Sequence, residues 1–447
     1  MTGATTLPSS RRAADQRLAA VLGTSLYVAG VGLWGRSLEH SGTPLYLGAP
    51  PFKGSWRVGF LTIQWPHLWV PALLVAAGVA VLVPTWWAEM APRLRFRWLL
   101  VGSWAWSFLW TVSLAATSDP PNLARPLLDR HHEYLRFARE LDSPVEFVSS
   151  FLARLSEYPT HVRGHPPGAV LAFWGLDRAF PTDTSFAVAL LVLAATAAPA
   201  SLLAVRWIAG EAAARRVAVF AGLAPAVVWI GTSADALVMA VVAWAVCAAA
   251  FALEHRGRAA GAAAAAAGLA TGVALTLSYG SMVLLAPVGA LTVWLLLRRR
   301  YGTVAIAAGG LLVAPIALVA MGFDWVEGYR AVRFQYYDRV ASERPQWYFA
   351  LSNLAAFAVA VGPAAVAGLA TLRRRRLWVL AGSALAGVAL ADLSAMSKGE
   401  VERIWLPAVP WVLVATASLR TVRTRRIWAA VTMGFTILLQ WKLRPAW

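Results

Sequence analysis

The chain has 447 residues, 59% of them hydrophobic and only 14% charged, with 23 tryptophans and a formal net charge of +18. A soluble domain carries about a quarter charged residues, whereas apolar blocks of roughly 17–23 residues, the length that spans a bilayer, recur here from end to end. A soluble enzyme, a disordered chain and a secreted disulfide scaffold are excluded, and the one cysteine, Cys247, lies inside an apolar block with no redox or metal signature.

The first 17 residues are polar and include Arg11, Arg12 and Arg17. The arginine pair superficially matches a twin-arginine signal, but many spans follow, so the first apolar block reads as a retained signal anchor. Spans are expected near 20–35, 68–84, 98–116, 185–205, 217–232, 236–253, 260–277, 281–297, 303–321, 348–370, 377–393, 405–419 and 427–441. The fold class that follows is an all-α polytopic membrane protein with about 13 transmembrane helices. The expected organisation is a cytoplasmic tail at 1–19, two extra spans in 20–97, a membrane core at 98–419 and a C-terminal span in 420–447.

Arginine placement orients this ladder. With the N-terminus in the cytoplasm and strict alternation, the cytoplasmic segments hold Arg11, Arg12, Arg17, Arg93, Arg95, Arg97, Arg206, Arg215, Arg216, Arg256, Arg258, the run Arg298 to Arg300, the run Arg373 to Arg376, and Arg420, Arg423, Arg425 and Arg426. These are 22 of the 40 basic residues, and only Asp15, Glu89, Glu211 and Glu254 join them, so this face carries the whole net charge of +18. The charge is topological: it sets orientation in a plasma (inner) membrane and meets anionic membrane lipids, and it calls for no nucleic acid. The Ala-rich run Ala259 to Ala267 reads as a helix start suited to close packing, not as a linker.

The remaining acids and bases crowd into outer loops at 117–186, 322–347 and 394–404. In the first and longest, Glu133 to Leu141 and Val145 to Ser156 place apolar residues at three- and four-residue steps, as expected of amphipathic interfacial helices. Pro167 to Phe180 is apolar but short for a span, and reads as a juxtamembrane or shallow re-entrant helix. Asp129, Glu133 and Tyr134 precede the first helix. A carboxylate there could act as general base, because an acceptor hydroxyl is a weak nucleophile until its proton is taken; Asp129 or Asp119 could equally cap a helix. The segment YPTHVRGHPPG is stiffened by Gly164, Pro166 and Pro167 into a non-helical turn that presents His161, Arg163 and His165, donors that suit a phosphate. His161 and His165 are spaced like a metal pair, but Gly and Pro break the helix such a pair needs and no HExxH pattern exists, so no metal ligand is assigned. The alternative is a proline-stiffened turn with solvated histidines.

In the second loop, Tyr329, Arg330, Arg333, Tyr336, Tyr337 and Arg339 interleave. Arg330, Arg333 and Tyr337 share a helical face that suits a phosphate and a sugar ring, or plain interfacial anchoring. In the third, Lys398, Glu400, Glu402 and Arg403 are crowded between spans and are expected to be paired or to face water. Ser233 or Asp235 is expected to cap the helix that follows them.

The order of these features resembles the GT-C superfamily of integral-membrane glycosyltransferases, which includes polyprenyl-phosphate-sugar mannosyltransferases and lipid A aminoarabinose transferases. The matching residues are Asp129, Tyr134, Ala138, Arg139 and Glu140, then His165, Pro166 and Pro167, with the later segments Ser233 to Leu237 and Glu402 to Pro410. The superfamily usually has adjacent acids four residues before the Tyr; here Asp129 is five before Tyr134 and is followed by Arg130, which leaves Asp119 and Glu133 as rivals. The resemblance implies transfer of a sugar from a polyprenyl-phosphate donor to an acceptor hydroxyl of a glycolipid, polysaccharide or protein on the extracytoplasmic face, with inversion. It implies Asp129 as base. On charge and side alone, His165, Arg163, Arg333 and Arg403 would offset the leaving phosphate. The lipid-phosphate sugar is then a co-substrate, no cofactor is indicated, and a divalent metal has no motif to support it. The alternatives are a transporter or flippase of a lipid-linked saccharide, which would need ionisable groups within the spans, where Asp392 is the exception, and a membrane scaffold.

Overall fold

The computed structural model describes residues 8–46, 56–58, 61–63, 70–117, 123–231, 234–338 and 340–442. Among the described residues nine helices are long and apolar enough to cross a membrane: Arg11–His40, Val70–Met90, Phe96–Ala115, Asp183–Ala209, Asp235–Glu254, Gly257–Leu277, Tyr301–Ala320, Gln346–Ala370 and Arg375–Leu393. The chain is a multi-pass helical membrane protein. One departure from an all-α fold is a short antiparallel hairpin that pairs Trp56–Val58 with Leu61–Ile63.

Four of the expected spans are not among the nine. The block 217–232 breaks at Gly222, with φ +74°, and at Pro225, leaving only the single turn Val227–Ile230. The block 281–297 divides into Ser281–Leu284 and Ala286–Leu297, with Pro287 opening the second helix. The block 405–419 is a succession of short turns of helix, Leu406–Ala408, Val409–Leu413 and Val414–Ser418, around Pro407 and Pro410. The block 427–441 lies in a helix, Val422–Lys442, whose first turns carry Arg423, Arg425 and Arg426. The first and third of these are almost wholly buried by the long helices. Irregular backbone is tolerated at membrane depth only where protein, not lipid, surrounds it, so apolar composition marked these segments as core and could not tell core from span.

The breaks are stitched by hydrogen bonds. In Gln346–Ala370 the pair Gly362–Pro363 interrupts the helix, with Gly362 at φ +80°. The freed Ala360 carbonyl accepts from the Ala226 N–H at 2.8 Å, and the freed Ala364 N–H donates to Thr432 Oγ1 at 3.1 Å. One kink thus ties three segments together. Elsewhere small residues bring backbones close: a Cβ on Gly268 would collide with the Ala307 carbonyl, and one on Gly310 with the Ala265 carbonyl. This joins Gly257–Leu277 to Tyr301–Ala320 by close van der Waals contact, as the alanine run suggested.

The arginine segments meet at one end of the bundle. Arg215 donates to the Leu94 carbonyl at 2.7 Å, Arg300 to His255 at 2.6 Å and Arg374 to Ala209 at 2.9 Å, while Arg426 pairs with Glu89 at 2.7 Å and Arg17 reaches Thr371 and Ser418. Arg376 lies over the Trp294 ring and Trp207 packs on His255, completing the ring of contacts. Several of these guanidiniums cap the last carbonyls of neighbouring helices, where partial negative charge collects. They are structural caps as well as flanks of spans.

Candidate functional site

The three acid-rich loops converge at the opposite end. Phe151 packs edge-on against Phe323, Tyr337 Oη donates to the Ala395 carbonyl at 3.0 Å, and Arg403 reaches His161 at 3.1 Å. The 117–186 loop has its own hydrophobic core of Leu135, Ala138, Phe147, Phe151, Tyr158, Val162, Phe173 and Phe186. Its helices are therefore shorter than expected and fold onto one another: Leu135–Arg139 and Pro144–Ser150, the latter capped by Ser143, which accepts from the Glu146 N–H at 3.3 Å. Gly168–Ala179 is a 12-residue helix, in keeping with its apolar but sub-span length. The expected non-helical turn is corrected in part. Thr160–Gly164 is one helical turn carrying His161 and Arg163, and only at His165 does the chain extend before the two prolines.

That turn and the three loops build a buried charge cluster around Arg403, which is 4% exposed. Its guanidinium lies 3.0 Å from Glu400 Oε2, 3.4 Å from Asp235 Oδ2 and 3.6 Å from Glu133 Oε1, and Nη2 is 3.1 Å from His161 Nε2. His161 Nδ1 is in turn 3.1 Å from Glu133 Oε1. Glu133 is 1% exposed, and among the described residues neither of its oxygens makes a hydrogen bond. A buried carboxylate left so is unusual enough to require a reason. Beside it, the His165 Nδ1–H faces the His161 carbonyl at 2.9 Å and the buried Tyr134 hydroxyl oxygen at 2.7 Å.

Burial governs the ionisation of this cluster. It pushes the Glu133 carboxyl up to about 7 against the opposing pull of Arg403 and His165. Burial and then the Arg403 charge press the His161 imidazole down to about 4. The same loss of water would disfavour the Arg403 cation, but Asp235, Glu400 and Glu133 outweigh it and raise its pKa. Burial also lowers His165 and raises Tyr134 well above a free phenol. Groups shifted by desolvation beside a specific charge partner are typical of functional sites.

The other expected residues divide. Asp129 is exposed; its Oδ1 accepts from the His131 N–H at 2.8 Å and its Oδ2 pairs with His132 Nδ1 at 2.9 Å. Burial opposes the change, yet these partners hold its carboxyl below the ordinary range. Asp119 and Ser233 lie outside the described residues, as does Arg339. Arg163 is half-buried near Thr160. Arg330, Arg333 and Tyr337 do share a face of the helix Trp325–Tyr337, where with Phe334 and Asp338 they line an open groove of about 420 Å³. Tyr329 instead stacks on Trp325 and packs against Tyr279. The Lys398 ammonium ties the third loop to the second, donating to the carbonyls of Ala341 at 2.8 Å and Arg344 at 2.9 Å. Burial raises the Glu402 carboxyl to about 7. Asp392 is held by the Asn353 amide at 2.9 Å, and Asn353 also binds Ser397 and Gly399, fixing the third loop. Asp235 was expected as a helix cap; its carboxylate faces Arg403 instead, a role no local spacing could reveal. No group of three or more His, Cys, Asp or Glu among the described residues is arranged to hold a metal.

No family model matches the chain, and no curated protein does. Among solved structures it is similar to ArnT from Cupriavidus metallidurans, crystallised in the apo state, with 15% identity and a TM-score of 0.39. The match covers 66% of this chain and 57% of that one, so the chain spans little more than half of that structure's length.

Proposed function

We propose that the chain is a membrane glycosyltransferase that moves a sugar from a polyprenyl-phosphate donor to an acceptor hydroxyl at the acid-rich, extracytoplasmic end. The observation that carries this reading is the Glu133 carboxylate, buried beside Arg403 and His161 with no hydrogen bond among the described residues. Glu133, not Asp129, is the base in this reading. Its pKa of about 7 matches a group that must accept a proton near neutrality, whereas both Asp129 oxygens are already engaged. Glu133 takes the hydroxyl proton, the acceptor oxygen bonds to the anomeric carbon from the far side, and the bond to phosphate breaks, releasing the polyprenyl phosphate.

The groove lined by Arg330, Arg333 and Tyr337 suits the donor phosphate. Its helix is tied to the segment bearing Glu400 and Arg403, because Tyr336 Oη accepts from the Lys398 N–H at 2.8 Å. The preceding helix leaves Ile316 and Val319 exposed, an apolar path suited to a prenyl chain. The test uses the chain in proteoliposomes with polyprenyl-phosphate hexoses and pentoses carrying labelled sugar, and cell-envelope extract as acceptor. Label should enter the acceptor with wild type and D129N, and E133Q should lose at least about 10²-fold in rate. Full transfer by E133Q would reject Glu133 as base, and no transfer from any donor by wild type would reject the reaction.

A further inference from the structure

Glu133 is approached unevenly. Its two ion-pair contacts among the described residues, His161 Nδ1 at 3.1 Å and Arg403 Nη1 at 3.6 Å, are made at Oε1. Oε2 has no hydrogen-bond partner among the described residues. The arrangement at His161 explains how this asymmetry is kept. A guanidinium has donors only, so the Arg403 Nη2 contact at 3.1 Å requires a lone pair on His161 Nε2. The ring proton of a neutral imidazole must then sit on Nδ1, the nitrogen that faces Glu133. The approach is off the N–H axis, as is common before substrate binds.

We propose that Arg403 is a positioning residue that fixes the proton of His161 on Nδ1, so that Glu133 meets the acceptor hydroxyl with Oε2 alone. The role of Oε2 rests on the transferase reading; the fixing of the proton does not. Arg403 can impose it because it is itself held from three segments. Asp235 at the start of Asp235–Glu254 faces Nε, Glu400 accepts from Nη2 at 3.0 Å, and Glu133 faces Nη1. Glu400 is placed by a costly turn: Gly399 and Glu400 both have positive φ, +98° and +60°. A non-glycine residue in that region persists only where its surroundings over-determine it, and here the turn aims the carboxylate at Arg403. The other titratable groups near Glu133 are His165, Asp129, His132 and Tyr134. His165 has its own Nδ1–H turned to the His161 carbonyl and Tyr134, and Asp129 and His132 are paired with each other, so none of them supplies His161 with a second acceptor.

The test is the nitrogen spectrum of the full chain labelled with ¹⁵N-histidine in lipid nanodiscs, with His161 assigned by its loss in H161N. Wild type should show a protonated Nδ1 and a bare Nε2 at neutral pH. R403M, which donates nothing, should shift His161 toward the Nε2–H form that free imidazole prefers. R403K, whose ammonium can still donate to Nε2, should keep the Nδ1–H form. In the transfer assay R403M should lose about 10²-fold in kcat with the donor KM unchanged, and R403K should recover at least a tenth of the wild-type rate. A wild-type His161 protonated on Nε2, or on both nitrogens, overturns the proposal. So does an R403M spectrum with Nδ1–H intact; should R403M not fold, the wild-type spectrum decides. A wild type with the expected spectrum but no transfer from any donor sinks the transferase reading and leaves the fixed proton standing.

Discussion

Glu133 and His161 titrate in opposite senses, and separating them tests the cluster directly. His161 falls from its ordinary value near 6.5 to about 4 in the folded chain, so between those values the unfolded chain binds the extra proton and acid destabilises the fold. Glu133 rises from 4.5 to about 7, so in that window the folded chain binds the extra proton and acid stabilises it. Between about pH 7 and about pH 5 each linkage is worth about 2 kcal/mol, with opposite signs. The wild type should therefore show almost no net pH dependence from this pair. E133Q removes one side of the balance and should become less stable by about 2 kcal/mol on acidification over that range. H161N removes the other and should become more stable by a similar amount. Thermal unfolding in nanodiscs at the two pH values, referenced to wild type, reads both. If E133Q follows the wild-type pH profile, or gains stability on acidification, burial does not govern these two groups and the account of the cluster fails.

Other outcomes follow from the packing. T432V deprives the Ala364 N–H at the Gly362 kink of its acceptor and should cost about 1–3 kcal/mol, measured by thermal unfolding against T436V, which removes a hydroxyl that among the described residues bonds within its own helix. G268V drives a side chain into the Ala307 carbonyl and should cost about 1–3 kcal/mol, with faster hydrogen exchange in Tyr301–Ala320. K398M removes the donor to Ala341 and Arg344; exchange in 394–400 should rise while the donor KM stays unchanged, and a raised KM with an unaltered loop would instead make Lys398 a phosphate ligand.

Much of this protein is legible in its amino-acid sequence. Apolar block length marked the nine long helices, because a chain crossing hydrocarbon must satisfy its backbone within a helix of bilayer thickness. Arginine spacing grouped segments that the structure brings into contact, such as those of Arg215, Arg300 and Arg374, because charge resists crossing lipid and collects in the connections between spans. Local steps placed Arg330, Arg333 and Tyr337 on one face, since three- and four-residue spacing is a property of the helix itself. Composition could not separate buried broken segments such as 217–232 and 405–419 from spans, because the hydrophobic effect rewards both alike and only the neighbours decide whether bare backbone meets protein or lipid.

The site shows the same division more sharply. Sequence brought forward His161, Glu133 and Arg403, which the structure gathers into one buried cluster, yet it ranked the exposed Asp129 first among the carboxylates. Which of two acids four residues apart is buried depends on where the loop's own core turns it, and that core joins Phe147, Phe173 and Phe186 across the whole loop. Asp235 and Glu133 reach Arg403 from more than a hundred residues away along the chain. Electrostatic energy depends on distance through space, and chain spacing carries no record of it until the helices are packed.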